Sequence, residues 1–224
     1  MSKAIIITDY AYKGPQRKGR GTGPQALRAT LKYLQFRDTK NNHLAQDREY
    51  ERWHDHGLGV HYGEIFSNCA DLQSKHVLAW TWVISPAPDL MALVPDEMRR
   101  DLVCDLTERI VHDYYTERGF DLPEFSYVVH SRMAEAEEDD EPLEQLHTHV
   151  ILPGTAPSVA DRLPVYNNKG HDVLFREIAT QHFSAALDDL FGQDWRVLRE
   201  DPEVEINPPK PPMLSDNFDD WLTL

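Results

Sequence analysis

Three short runs with strand character constrain this chain more than any other feature of it. VLAWTWVIS (77–85) alternates Leu78, Trp80, Trp82 and Ile84 against smaller residues and stops at Pro86 and Pro88, the pattern of a strand covered on one side by bulky side chains. FSYVVH (125–130) and HTHVIL (147–152) read as two further strands, and AIIITD (4–9) as a first one. Helical periodicities lie between them. PQALRATLKYLQFR carries Leu27, Leu31 and Leu34 at i, i+4 and i+7 behind Pro24, which suits the first helical turn. A long helix is predicted over 96–118, from an acidic start through Leu102, Leu106, Ile110 and Tyr114 to Gly119. Another is predicted over 172–191, with Phe175, Ile178, Phe183, Leu187 and Leu190 on it and Gly192 as its stop. Strands and helices mixed in this way suit a sheet with helices packed on it.

A length of 224 residues, 41% of them hydrophobic and 27% charged, suits one globular domain with a real core. We expect that domain over 1–200. The segment 201–224, with five prolines and six acids against Lys210, is expected to be a disordered acidic tail. Residues 38–75 read as polar and irregular, including the histidine-rich WHDHGLGVH (53–61). No apolar window approaches the roughly 18 residues of a membrane span, and MSKAIIITDYAYKG is too polar for a secretory signal. The expectation is a cytoplasmic protein with no membrane association. Cys69 and Cys104 form no CxxC pair and read as core thiols.

The net charge of −15 is zoned. Residues 1–40 hold nine Lys/Arg against Asp9 and Asp38, whereas EAEEDDEPLE (135–144) holds seven acids and no base. KGPQRKGRGTGPQ (13–25) has no large apolar residue and could close over a polyanion. Lys13, Arg17, Lys18, Arg20 and Arg28, with Lys32 and Arg37 on the following helix, are the candidate nucleic-acid contacts. Trp53 and Tyr62 are candidates for stacking on bases.

The chemistry resides in the histidines. His147 and His149 are two apart in a strand, so both emerge on one face about 7 Å apart at the backbone. His130 ends the preceding strand on a parity that places it beside them if the two pair antiparallel. Three imidazoles there would make a metal site with open positions for a substrate oxygen. HxH occurs twice, and the pair His54/His56 sits in a polar, glycine-rich context instead.

The ordered blocks YVVH130…QLH147TH149VIL, Ile84-Ser85-Pro86 and ALRATLKYLQFRD resemble the HUH endonuclease superfamily, and within it the plasmid-mobilisation relaxases, over most of residues 25–195. The resemblance implies an α+β fold, a central antiparallel sheet of about five strands with helices packed on one face and histidines on the other, and a site- and strand-specific DNA nicking enzyme in mobilisation or conjugative transfer of a plasmid or integrated element. It implies Mg²⁺ or Mn²⁺ on His130, His147 and His149, and Tyr33 as the nucleophile that leaves a 5′-phosphotyrosyl intermediate. The implied partners are single-stranded DNA at an origin-of-transfer-like site and an accessory DNA-binding or coupling protein. Phenols are weak nucleophiles at neutral pH, so metal proximity or a base must assist. Relaxases also orient a ligand histidine with an acid, for which Asp89, Glu97 and Asp101 are candidates. Alternatives stay open. Replication initiators of the superfamily place the tyrosine after the histidines as YxxK, which Tyr166–Lys169 matches, and Tyr10 and Tyr12 are further candidates. A DNA-binding relative without activity, with the DDWLTL tail as a docking peptide, and a metal-dependent hydrolase using water are the other readings.

Overall fold

In the computed structural model, residues 4–16, 23–36, 53–134, 142–192 and 194–200 are described, without the side chains of 198 and 200. The acidic segment 135–141, the tail 201–224, and Arg17, Lys18, Arg20 and Arg37 lie outside the described residues.

The strands are β1 (Ile6–Lys13), β2 (Trp53–His56), β3 (Ala79–Pro86), β4 (Phe125–Met133), β5 (Glu144–Pro153), β6 (Thr155–Pro157) and β7 (Arg162–Pro164). The helices are α1 (Pro24–Phe36), α2 (Tyr62–Asp71), α3 (Pro88–Met91), α4 (Asp96–Thr116), α5 (His171–Phe191) and α6 (Asp194–Glu200). Five strands form one sheet in the order β1-β3-β5-β4-β2, every neighbouring pair antiparallel. β6 and β7 form a separate two-stranded ribbon. The α+β class and the five-stranded antiparallel sheet are as expected.

Alternation along the strands sorts their side chains onto two faces. Trp80, Trp82 and Ile84 of β3, Phe125, Tyr127 and Val129 of β4, and Val150 and Leu152 of β5 point to one side. There they meet Val103, Leu106, Ile110 and Tyr114 of α4 and Phe175, Ile178 and Phe183 of α5. Trp82 meets Tyr114 edge-on, ring centres 4.9 Å apart. Each such large buried side chain is worth about 1.5–3 kcal/mol of burial. α4 begins on Pro95 with Asp96 and Glu97 in its first turn, where acids suit the positive end of the helix. Gly119 (φ 76°) and Gly192 (φ 62°) turn the chain after α4 and α5, as the sequence indicates.

α4 and α5 thus cover the face opposite the histidines, and α1 and α2 cover part of the histidine face as well. Leu27, Leu31, Leu34, Leu58, Ile65 and Cys69 pack there on Ala79, Val128 and Ile151. The small residue Ala79 on this side of β3 leaves room for that second layer. The stretch 53–75, expected to be irregular, holds β2 and α2. β2 is an edge strand of four residues, too short to show alternation clearly, and Ile65, Phe66, Cys69 and Leu72 supply the apolar spacing of α2. Trp53, expected as a base-stacking residue, is instead buried in this second core.

Candidate metal centre

β5 is the middle strand, paired to β3 on one side and β4 on the other. His130 and His147 lie directly opposite each other across β4 and β5, and His149 lies opposite Val128. Equal parity sends all three imidazoles to the face that carries α1 and α2. Their ring centres are 5.1–5.9 Å apart. One nitrogen from each lies within 4.8 Å of the others, so a single ion could be held between them. Among the described residues this is the one group of three or more His, Cys, Asp or Glu side chains with that geometry. His130 is 1% exposed, His147 is buried and His149 is half-buried.

Backbone carbonyls fix two of the three rings. His130 Nε2 donates to Leu34 O at 3.0 Å, and His147 Nδ1 donates to Gln145 O at 3.2 Å. Each bond sets the tautomer, so Nδ1 of His130 and Nε2 of His147 carry the lone pairs a metal ion needs. The acids expected in this orienting role are elsewhere. Asp89 pairs with Arg199 at 3.1 Å, and Glu97 and Asp101 belong to α4, on the opposite side of the sheet. Thr148, between the two histidines, faces α4. Thr107 Oγ1 donates to Val103 O at 2.8 Å, so Thr148 is the donor in its 2.9 Å bond to Thr107 Oγ1. That bond ties the HxH segment to the far helix.

α1 reaches the histidines from above. Gly23, at φ 87°, opens the helix, and its carbonyl accepts from Ala26 and Leu27 N–H. The stripe Leu27, Leu31 and Leu34 is fully buried against the sheet. At the other end Gln35 Oε1 accepts from Tyr62 N at 2.7 Å, clasping α1 to α2, and Leu34 O holds His130. Tyr33, next to Leu34, is 53% exposed. Of the other candidate tyrosines, Tyr10 and Tyr12 lie on the α4/α5 side, and the Tyr166 ring lies 6.3 Å from that of His76 in the α2–β3 turn. Tyr10 packs on Trp80 and Phe175, Tyr12 on Trp80, and Tyr166 gives its carbonyl to Arg118 of the α4–β4 turn. Tyr62 sits on the histidine side, its ring 6.0 Å from that of Phe36.

Of the candidate nucleic-acid contacts, Arg28 and Lys32 are exposed one turn apart on α1, with the Arg28 guanidinium 6.0 Å from the Phe66 ring. Lys13 ends β1 on the histidine parity, half-buried. His54 and His56 form no part of this centre. They stack on Tyr127 and Phe125 at 4.4 and 4.2 Å, on the α4 side, and His56 Nε2 is 3.3 Å from Glu108. Glu108 also accepts from Tyr127 Oη at 2.7 Å.

One polar chain was not anticipated from the sequence. Arg132 Nε donates to Gln145 Oε1 at 2.8 Å, and Gln145 Nε2 donates to Ser85 Oγ at 2.9 Å. Its signal was available in strand parity, since Arg132 is two residues from His130 and Gln145 two from His147. No protein-family model and no curated protein matches this chain.

Proposed function

We propose that the protein is a metal-dependent, strand-specific DNA nicking enzyme of the relaxase type, acting in the cytoplasm on single-stranded DNA during transfer of a plasmid or integrated element. The observation that carries this reading is the juxtaposition at the centre of the sheet. Three imidazoles converge there, and the helix bearing Tyr33 is hydrogen-bonded to one of them through the adjacent residue.

His130, His147 and His149 would hold the cation. A divalent ion there supplies Lewis acidity to a non-bridging phosphate oxygen. An all-nitrogen donor set favours Mn²⁺ over Mg²⁺, which prefers oxygen ligands. Tyr33 contributes its phenolic oxygen as nucleophile. The new bond joins that oxygen to phosphorus, the bond from phosphorus to the 3′ oxygen breaks, and the phenol proton is given up as the departing 3′ oxygen takes one. The products are a 5′-phosphotyrosyl enzyme and a 3′ hydroxyl, so the phosphodiester energy is retained for religation. Arg28 and Lys32 extend cationic surface along α1 for the strand's backbone. An accessory or coupling protein would deliver the origin-of-transfer-like site. The replication-initiator order is disfavoured because the Tyr166 ring lies beside His76, near the Ala79 end of β3, whereas His149 lies opposite Val83 further along that strand.

The test is a denaturing gel with labelled single-stranded oligonucleotides of pooled sequence, in Mn²⁺ or EDTA. A protein-linked adduct is expected in Mn²⁺, absent in EDTA and in Tyr33→Phe and His149→Ala. Cleavage that survives Tyr33→Phe without an adduct would replace this reading by hydrolysis with water.

A further inference from the structure

The rung of the sheet beyond the histidines carries the chain Ser85–Gln145–Arg132, which the reading above leaves unused. Arg132 and Gln145 face each other across β4 and β5, just as His130 and His147 do one step away. Gln145 and Ser85 are 6% and 4% exposed. A buried carboxamide is costly unless it is satisfied, and here both ends of it are, one by a serine hydroxyl and one by a guanidinium. Gln145 serves the site twice: its backbone carbonyl orients His147 and its side chain orients Arg132.

The result is a guanidinium held by Nε, with its two Nη groups forming a planar fork at the solvent-exposed end of the chain. Among the described residues no carboxylate pairs with it, whereas Arg109, Arg162 and Arg196 each pair with one. Two residues of strand separate it from His130, roughly 7 Å. A fork fixed in orientation suits a tetrahedral oxyanion, since bidentate hydrogen bonding to phosphate is what distinguishes arginine from lysine.

We infer that Arg132 binds a backbone phosphate of the DNA strand adjacent to the one at the histidines, with Gln145 and Ser85 as its positioning residues. The inference rests on the nicking reading for the identity of the strand. Binding measured in EDTA separates the two, because no chemistry is required.

The experiment uses the full chain and a fluorescent oligodeoxythymidylate, with affinity read by anisotropy across a series of salt concentrations. Arg132→Gln should weaken binding about five- to thirty-fold at low salt and reduce the slope of log K against log salt by about 0.7, the amount for one phosphate on a single strand. Arg132→Lys should keep most of that slope yet bind more weakly than the native chain. Gln145→Ala should weaken binding only while Arg132 is present, so the double variant matches Arg132→Gln alone. Thermal unfolding identifies variants that fail to fold, and Arg132→Lys then carries the comparison. An unchanged affinity and slope in Arg132→Gln would overturn the inference. So would a Gln145→Ala effect that simply adds to that of Arg132→Gln. Loss of the tyrosyl adduct assay with these binding effects intact would remove the nicking chemistry and leave the phosphate site standing.

Discussion

At Gly154 a single hydrogen decides whether two layers can touch. A Cβ built there would lie 1.9 Å from Val77 O and 2.7 Å from Ser74 N, so the chain after β5 passes the α2–β3 turn with no space for a side chain. That turn is itself closed by Ser74 N donating to Val77 O at 2.8 Å. Gly154→Ala should therefore destabilise the protein by about 1–3 kcal/mol, as overpacking does, in a chemical-denaturation measurement. An unchanged midpoint would mean the turn shifts without cost. Residue-scale detail was partly legible beforehand. The parity of His130, His147 and His149 followed from counting along strands, but nothing local in the sequence indicates which carbonyl each ring would meet. Leu34 lies 96 residues from His130, and the acid expected in its place came from the resemblance to relaxases, since a backbone carbonyl leaves no mark in a sequence.

At the scale of elements, α1 brings Tyr33 to the histidine side of the sheet. Its attachment includes the buried stripe Leu27, Leu31 and Leu34, the two bonds made by Leu34 and Gln35, and the contacts of Arg28 with Phe66 and of Phe36 with Tyr62. Leu31→Ala should cost about 2–5 kcal/mol through the cavity it leaves, read by denaturant unfolding. On the proposed nicking reading it should also depress adduct formation more than it weakens Mn²⁺ binding, because the three histidines sit on β4 and β5 rather than on the helix. Equal losses of both would show that α1 supports the metal site itself. The long helices, with their regular apolar spacing and glycine stops, were readable almost to the residue. β2 and α2 were not, because a four-residue edge strand has too few positions to declare its period and α2 is surrounded by polar sequence. His54 and His56, which in sequence resemble a second HxH ligand pair, owe their positions to stacking on the aromatics of β4.

For the whole molecule, the cluster of His54, His56, Glu108 and Tyr127 makes stability depend on acidity. Burial holds the His54 imidazole below its ordinary value of 6.5, assisted by the nearby Arg100 charge. The hydrogen bond to His56, with a further one from Tyr127, holds the Glu108 carboxyl below its ordinary 4.5. In both cases the unfolded chain binds protons more readily than the folded one, so stability must fall as pH falls. The His54 contribution begins to be lost below about pH 6.5 and that of Glu108 below about 4.5. The melting temperature should decline from pH 7 to pH 4, and His54→Phe, which keeps a ring on Tyr127, should flatten the upper part of that decline. A His54→Phe protein that loses as much between pH 7 and 5 as the native chain would show that the dependence arises elsewhere. Much of the architecture was legible because three helices declared themselves by period and four strands by short apolar runs, one of them plainly alternating. The second helical layer over the histidine face was not, since no pattern in a sequence says which of two sheet faces a helix will choose.

The position of the HxH strand in the middle of the sheet has one further consequence. A strand hydrogen-bonded along both flanks opens only when the sheet as a whole does, so His149, paired through β3 and β4, shares the slowest fluctuations of the molecule, and the β4–β5 ladder binds His130 and His147 to it. α1 is held by its apolar stripe, the bonds of Leu34 and Gln35 and contacts with α2, with no share in the sheet ladder, so it is expected to open at lower free energy than the floor beneath it. A difference in opening energies divides this face of the molecule: the histidine floor is its lasting half, and whatever reaches the three imidazoles is timed by the helix that covers part of them.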